Sequence, residues 1–205
     1  MPKTGWAWRR AATTLALTTL LAVGGCVGAE PADVPTTPTA DKTPTPTPSA
    51  TADLTRLPEK PAAMAEPTTD GAIAAATYVL DLYTYTINTG DVAPWRAITL
   101  DSCSFCQGVV ADVAEVQTSG DAIRGGAIDV RESRATEISE DTWFSVELDV
   151  VQELSERRDA DDALVGQNPP GTYTAVFALS WVEGWRVDEM GIQTPTEPAA
   201  GKEAG

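Results

Sequence analysis

From Asp70 to Gln117 the apolar residues recur at helical spacing, and beyond Gly120 they alternate with polar ones; this change of period constrains the fold more than any other feature of the chain. Ile73, Ala76, Leu80, Tyr83 and Ile87 mark one face of a first helix, with Asp70 as its N-cap and Gly90 as its stop. Asp91 then starts a short turn around Pro94 and Trp95, and a second helix carries Phe105, Val109, Val110, Val113 and Val116. Four strands follow. Ile128 and Val130 lie on the first, Phe144 to Val150 on the second, Tyr173 to Trp181 on the third, and Trp185 and Val187 open the last. Glu183 and Gly184 are the tight hairpin between the last two. The pattern predicts an α+β domain with its N-terminal helices packed on a curved, four-stranded antiparallel sheet. Ser155 to Gly171, rich in charge and closed by Pro169-Pro170-Gly171, reads as a long, mobile hairpin loop. Its acidic run lacks the spaced ligands and closing glutamate of a calcium loop, so a solvated turn is expected.

The N-terminal quarter cannot join that domain. Residues 1–26 have a basic start (Lys3, Arg9, Arg10), an apolar run from Ala11 to Val23 and small residues before a cysteine, the three parts of a bacterial export signal. The run is too short to span a hydrocarbon core of roughly 30 Å, so it is expected to be cut rather than kept. Val23-Gly24-Gly25-Cys26 resembles the lipobox of bacterial lipoproteins, which implies a diacylglyceryl group on Cys26 as the new N-terminus. Each buried methylene of such an anchor contributes about 0.8 kcal/mol, and two chains hold where one is marginal. The rival reading is ordinary secretion with a free Cys26. Residues 27–58 are dominated by Thr, Pro and Ala around Thr43-Pro44-Thr45-Pro46-Thr47-Pro48, a composition that fixes φ, removes donors and gives an extended tether. At about 3.1 Å per residue such a stretch reaches on the order of 90 Å, enough for a stalk through a cell wall. Its threonines are candidates for O-glycosylation. Residues 59–194 are then the folded domain and 195–205 a flexible tail. Leu54 to Pro67 overlaps the first boundary and is expected to lie along the domain as a strap.

Charge and missing residue types narrow the function. The chain has 30 acidic and 14 basic side chains, no histidine, and a net charge of −16. Three of the basic groups lie in the leader, leaving 11 against 30 and a net −19 after it is removed. Such a surface repels nucleic acid and anionic headgroups. Without histidine, the usual general base and the commonest metal ligand are missing, so no cofactor is expected.

Three groups of residues remain as candidate sites. Cys103 and Cys106, at the mouth of the second helix, are placed to pair in an oxidising compartment. A structural disulfide is the leading reading; thiol exchange and metal ligation compete with it, the latter short of two ligands. Tyr78, Asp81, Tyr85 and Asn88 share a flank of the first helix, either as a ligand-pocket wall with Asp81 as its polar or basic group, or as tyrosines lying flat beside a solvated aspartate. Glu132 and Arg134 continue the face of Ile128 and Val130. They lie in water where the strand overruns the core, or they point into a cavity and hold a polar ligand.

Two helices, four antiparallel strands with a long middle hairpin, and the ending Trp181-x-x-Gly184-Trp185-Arg186-Val187-Asp188 resemble the NTF2-like, or SnoaL-like, cone fold, in which a bent sheet wraps helices around a central pocket. Lys60-Pro61-Ala62, Gly71-Ala72, Tyr78, Tyr85, Thr89-Gly90-Asp91 and Cys103-x-x-Cys106 together resemble a family of actinobacterial lipoproteins of unknown function. The resemblance implies fold and location. Enzymes of the wider NTF2-like group often place a His or Asp in the pocket, and of these only Asp81 is a candidate here.

The expected function is therefore a noncatalytic binding or docking domain, lipid-anchored at the extracytoplasmic face of the cell membrane. Its partner would be a small molecule, a wall component or a protein. The alternatives are a pocket enzyme using Asp81 with Tyr78 or Tyr85, and a thiol oxidoreductase using Cys103 and Cys106.

Overall fold

The computed structural model describes residues 53–194. Cys26, the leader, most of the tether and the tail from residue 195 lie outside the described residues. Helix α1 spans Thr69–Thr89. Its cap is Thr68, whose Oγ1 accepts a hydrogen bond from Gly71 N at 3.0 Å. The helix thus begins one residue before Asp70, the cap expected from sequence; Asp70 sits in the first turn, where its carboxylate faces the positive end of the helix dipole. Gly90, at φ 77°, closes the helix by donating to Thr86 O. Asp91 Oδ1 accepts from Ala93 N at 3.0 Å and launches α2, Ala93–Ile98. Helix α3, Ser104–Ser119, is capped by Cys103, whose sulfur accepts from Cys106 N at 3.2 Å, and is stopped by Gly120 at φ 79°.

Seven strands follow: β1 (Ala122–Gly125), β2 (Ile128–Ser139), β3 (Trp143–Gln152), β4 (Ser155–Arg158), β5 (Leu164–Asn168), β6 (Gly171–Trp181) and β7 (Trp185–Gln193). The four long ones are those read from alternation, and they form one antiparallel sheet in the order β2-β3-β6-β7. The segment expected as a loop, Ser155 to Gly171, is instead structured. It supplies β4 and β5, which join β1 in a second, three-stranded sheet. The reason is local: Asp159 Oδ1 accepts from Asp161 N and Ala163 N, folding the acidic run into a turn that brings its two arms together. Arg157 then fastens β4 to the helical layer, donating to Asp121 Oδ2 at 2.7 Å, Glu115 Oε1 at 3.0 Å and Ser119 Oγ at 3.1 Å.

The core lies between α1 and the inner face of the four-stranded sheet. Ala72, Ala75, Ala76, Val79 and Leu82 meet Phe144, Val146, Leu148, Phe177 and Leu179, all at most 1% exposed. Small residues on α1 let the helix settle close to the strands, and the large side chains come from the sheet. Trp95 of α2 is fully buried and donates from Nε1 to Cys106 O at 3.1 Å. Leu100 N donates to Val187 O, docking the chain after α2 on the last strand.

The approach to α1 is also fixed by contacts. A 3-10 turn at Ala62–Ala65 places Met64 O where Trp185 Nε1 donates to it at 3.1 Å. Gly71 permits this: a Cβ there would collide with Glu66 O and stand 3.2 Å from the Trp185 ring. Residues 53–59 lie against the domain too. Leu54, Leu57 and Pro58 border a groove with Thr84 and Tyr85 of α1, so the strap begins inside the stretch assigned to the tether.

Candidate functional site

Two helical stripes face each other beside the sheet. On α1, Leu80, Tyr83 and Ile87 follow at three- and four-residue steps; on α3, Phe105, Gly108 and Asp112 do the same. Between them and the inner sheet face is an apolar cleft of about 240 Å³. Leu80, Tyr83 and Phe105 form its helical side, and Ile128, Val150, Tyr173, Met190 and Ile192 form its sheet side. Gln152 is its one amide, and the only other side-chain polar groups in the lining are the hydroxyls of Tyr83 and Tyr173. Past Tyr83 and Phe105 a second hollow of about 310 Å³ continues toward Asp112, Ser155 and Asn168. Burial, together with the nearby Asp112 charge, pushes the Tyr83 hydroxyl pKa above the ordinary tyrosine range, so Tyr83 is a neutral hydrogen-bonding group at physiological pH.

Of the residues expected to form a pocket, Asp81 and Tyr85 border one groove, and Tyr78, Glu132 and Arg134 do not line it. Tyr78 is only 5% exposed and belongs to the core, where burial and then the Asp81 charge raise its pKa. Asp81 and Tyr85 border a different, open groove of about 410 Å³ beneath the strap. Partial loss of water there raises the Asp81 pKa above the usual carboxylate value. Tyr85 does not turn to Asp81 but donates to Asp91 Oδ2 at 3.0 Å. Asn88, on the same flank, clamps α1 to the end of β1: its side chain donates to Gly125 O at 3.0 Å and accepts from Gly125 N at 3.1 Å.

Glu132 and Arg134 lie on the outer face of the sheet, exposed. Val130 pairs with Val150 but Glu132 pairs with Asp149, so Arg131 is an extra residue and the alternation changes sides. The expected continuation of the Ile128 and Val130 face therefore ends at this bulge. Arg134 meets Asp149 at 3.1 Å, Glu147 at 3.3 Å and Glu132 at 3.5 Å in a surface charge ladder. Asp149 also accepts from Thr174 Oγ1 at 2.7 Å; that bond first, and Arg134 second, holds its carboxyl below the usual range.

Cys103 and Cys106 have their sulfurs at 2.03 Å, and both residues are fully buried. Thiol exchange requires an accessible sulfur, so the pair is placed to brace the start of α3.

Leu80, Tyr83, Phe105, Ile128, Val150 and Tyr173 were visible in the sequence only as core positions, and Gln152, Met190 and Ile192 were not singled out at all. Nothing but the hydroxyls of Tyr83 and Tyr173 separates the first six from packed residues. Asp112, one heptad after Phe105, is exposed on the flank of α3 that borders the second hollow, and its spacing from Phe105 was there to be noticed.

Among proteins of known structure, the intermembrane space region of the chloroplast protein ARC6 aligns over 62% of this chain and 97% of its own, with a TM-score of 0.50 and 12% identity. A putative polyketide cyclase from Xanthomonas campestris pv. campestris aligns over 58% of this chain and 90% of its own, with a TM-score of 0.32 and 14% identity. The first is a likeness of fold, and the second is too weak to argue from. No curated protein matches the chain. Residues 47–190, which take in the helical layer and all but the last residues of β7, match the family of unknown function DUF6318, and the chain belongs to that family.

Proposed function

We propose that this protein is a noncatalytic binding module, tethered by a lipidated Cys26 to the extracytoplasmic face of the cell membrane, that takes a small, largely apolar ligand in the cleft between α1, α3 and the sheet. The observation that carries the reading is the cleft lining: apolar side chains around one amide and two tyrosine hydroxyls, with no carboxylate, thiol or amine to move a proton or attack a bond. The helices set against one face of the antiparallel sheet, with the opening at the end of that packing, favour an NTF2-like cone as the parent architecture. The export-type leader and the cysteine that follows small residues favour a location outside the cytoplasm. No helix among the described residues is long and apolar enough to cross a membrane.

Both halves of the reading are testable. Binding is checked by the brightening of the neutral apolar dye N-phenylnaphthylamine. The wild-type protein is expected to brighten it, and Ile192→Trp, which puts an indole at the cleft mouth, is expected to abolish the signal while circular dichroism stays unchanged. Equal brightening by both proteins defeats the cleft assignment. Anchoring is checked by Cys26→Ser, expected to move the protein from the membrane fraction to the medium; retention with membranes overturns the lipid anchor.

A further inference from the structure

The groove between α1 and α3 is graded in polarity from one end to the other. At the Leu80 and Met190 end it is apolar. Beyond the rings of Tyr83 and Phe105 it reaches the Asp112 carboxylate, with Ser155 and Asn168 opposite. Gly108, one helical turn before Asp112, lines this hollow, and a Cβ built on it would stand in open space with nothing within 4 Å. The acidic groups around Asp112 differ in one respect. Glu115 and Asp121 are both held by Arg157, which also donates to Ser119, so the charge of this arginine is already matched by two carboxylates. No cation among the described residues pairs with Asp112. The apolar cleft alone falls short of the usual range of about 300–1,000 Å³ for a ligand site; the second hollow adjoins it at Tyr83 and Phe105, and the two together lie well inside that range.

We infer that the ligand is a cationic amphiphile, its alkyl or acyl chain lying in the apolar cleft and its ammonium head passing between Tyr83 and Phe105 to the Asp112 carboxylate. The inference rests on the binding-cleft reading and adds the sign and position of the head group. Two aromatic rings beside the passage suit a cation, whose charge is drawn to the face of a ring, and a chain of net charge −16 attracts cations before contact. An anionic amphiphile would have to set its head against Asp112, with Arg157, the cation beside it, already paired with Glu115 and Asp121.

Isothermal titration of the purified protein with decylammonium, decanol and decanoate separates these terms, because the three share one chain and differ in the charge of the head. At physiological ionic strength, where long-range attraction is screened beyond about 8 Å, decylammonium is expected to bind about fivefold more tightly than decanol, and decanoate more weakly. Asp112→Asn is expected to bring decylammonium to the decanol level and leave decanol unchanged. Gly108→Leu is expected to weaken decylammonium more than decanol. Equal binding of decylammonium and decanol, or a cation preference that survives Asp112→Asn, overturns the head-group assignment and leaves the cleft standing. Failure of decanol to bind, or decanol binding indifferent to Ile192→Trp, defeats the cleft and this inference with it.

Discussion

Replacing Trp185 with phenylalanine tests whether the N-terminal segment is part of the folded unit. Trp185 is 4% exposed, and its Nε1 donates to Met64 O at 3.1 Å across 121 residues of sequence. Its ring also meets Phe144 edge-on at 5.1 Å and Trp181 at 5.2 Å. Phenylalanine keeps most of the ring packing but removes the donor and the outer part of the indole. The Met64 carbonyl then loses that partner, at about 1–3 kcal/mol for an orphaned buried acceptor. The vacated volume adds a cavity cost, and the two together come to about 2–4 kcal/mol. For a domain of about 140 residues this lowers the melting temperature on the order of 10 °C. Urea unfolding followed by circular dichroism measures the free energy directly, with the half-buried Trp181→Phe as the reference. Limited proteolysis should also cut earlier near Met64 in the variant. A loss below about 0.5 kcal/mol, with cleavage unchanged, would refute the reasoning, because it would mean that the 3-10 turn is not held by the last strand.

Gly71→Ala should destabilise the protein, although alanine is the better helix former by about 1 kcal/mol, because the methyl group meets Glu66 O; a raised melting temperature would show that the turn yields freely. Cys103→Ser and Cys106→Ser should both lower the urea midpoint, the first by less, since a serine hydroxyl accepts from the residue 106 amide more strongly than the free Cys103 thiol that Cys106→Ser leaves at the cap; the reverse order would argue against that cap. Asp149 and Asp121 have folded-state pKa values held below the usual carboxylate range, by the Thr174 hydroxyl and Arg134 in one case and by Arg157 and Ser119 in the other. Their contribution is therefore complete above about pH 4 and is lost as pH falls through the lowered folded values. Asp149→Asn should make the acid limb of a stability-versus-pH curve shallower, and an unchanged limb would count against the ladder.

The bulge at Arg131 shows where reading by alternation stops. Ile128, Val130, Glu132 and Arg134 are equally spaced in sequence, and nothing in their side chains marks the inserted residue. The register is chosen by pairing with β3, which sets Ala135 opposite the buried Val146 and sends the two charged residues outward. The second sheet was hidden for a related reason. Its strands are short and polar, and β4 is held by hydrogen bonds to β1 and by Arg157 reaching back to α3, partners more than 30 residues away in sequence. Asn88, grouped by spacing with Tyr78, Asp81 and Tyr85 as a pocket wall, is spent on the backbone of Gly125.

The sequence by itself determined the two long helices and the four long strands that follow them, because helix and strand periods, caps and glycine stops are local properties of neighbouring residues. Gly90 and Gly120 end their helices where the chain must enter the left-handed region, and the two cysteines lie three residues apart at the mouth of α3. Which side chains share a space was decided only by tertiary structure. Tyr83, Phe105, Met190 and Asp112 lie on three separate elements, and only the packing of α1 and α3 beside the sheet leaves a hollow among them. A buried wall and a cleft wall are made from the same apolar residues, and what separates them is the volume that their neighbours leave unfilled.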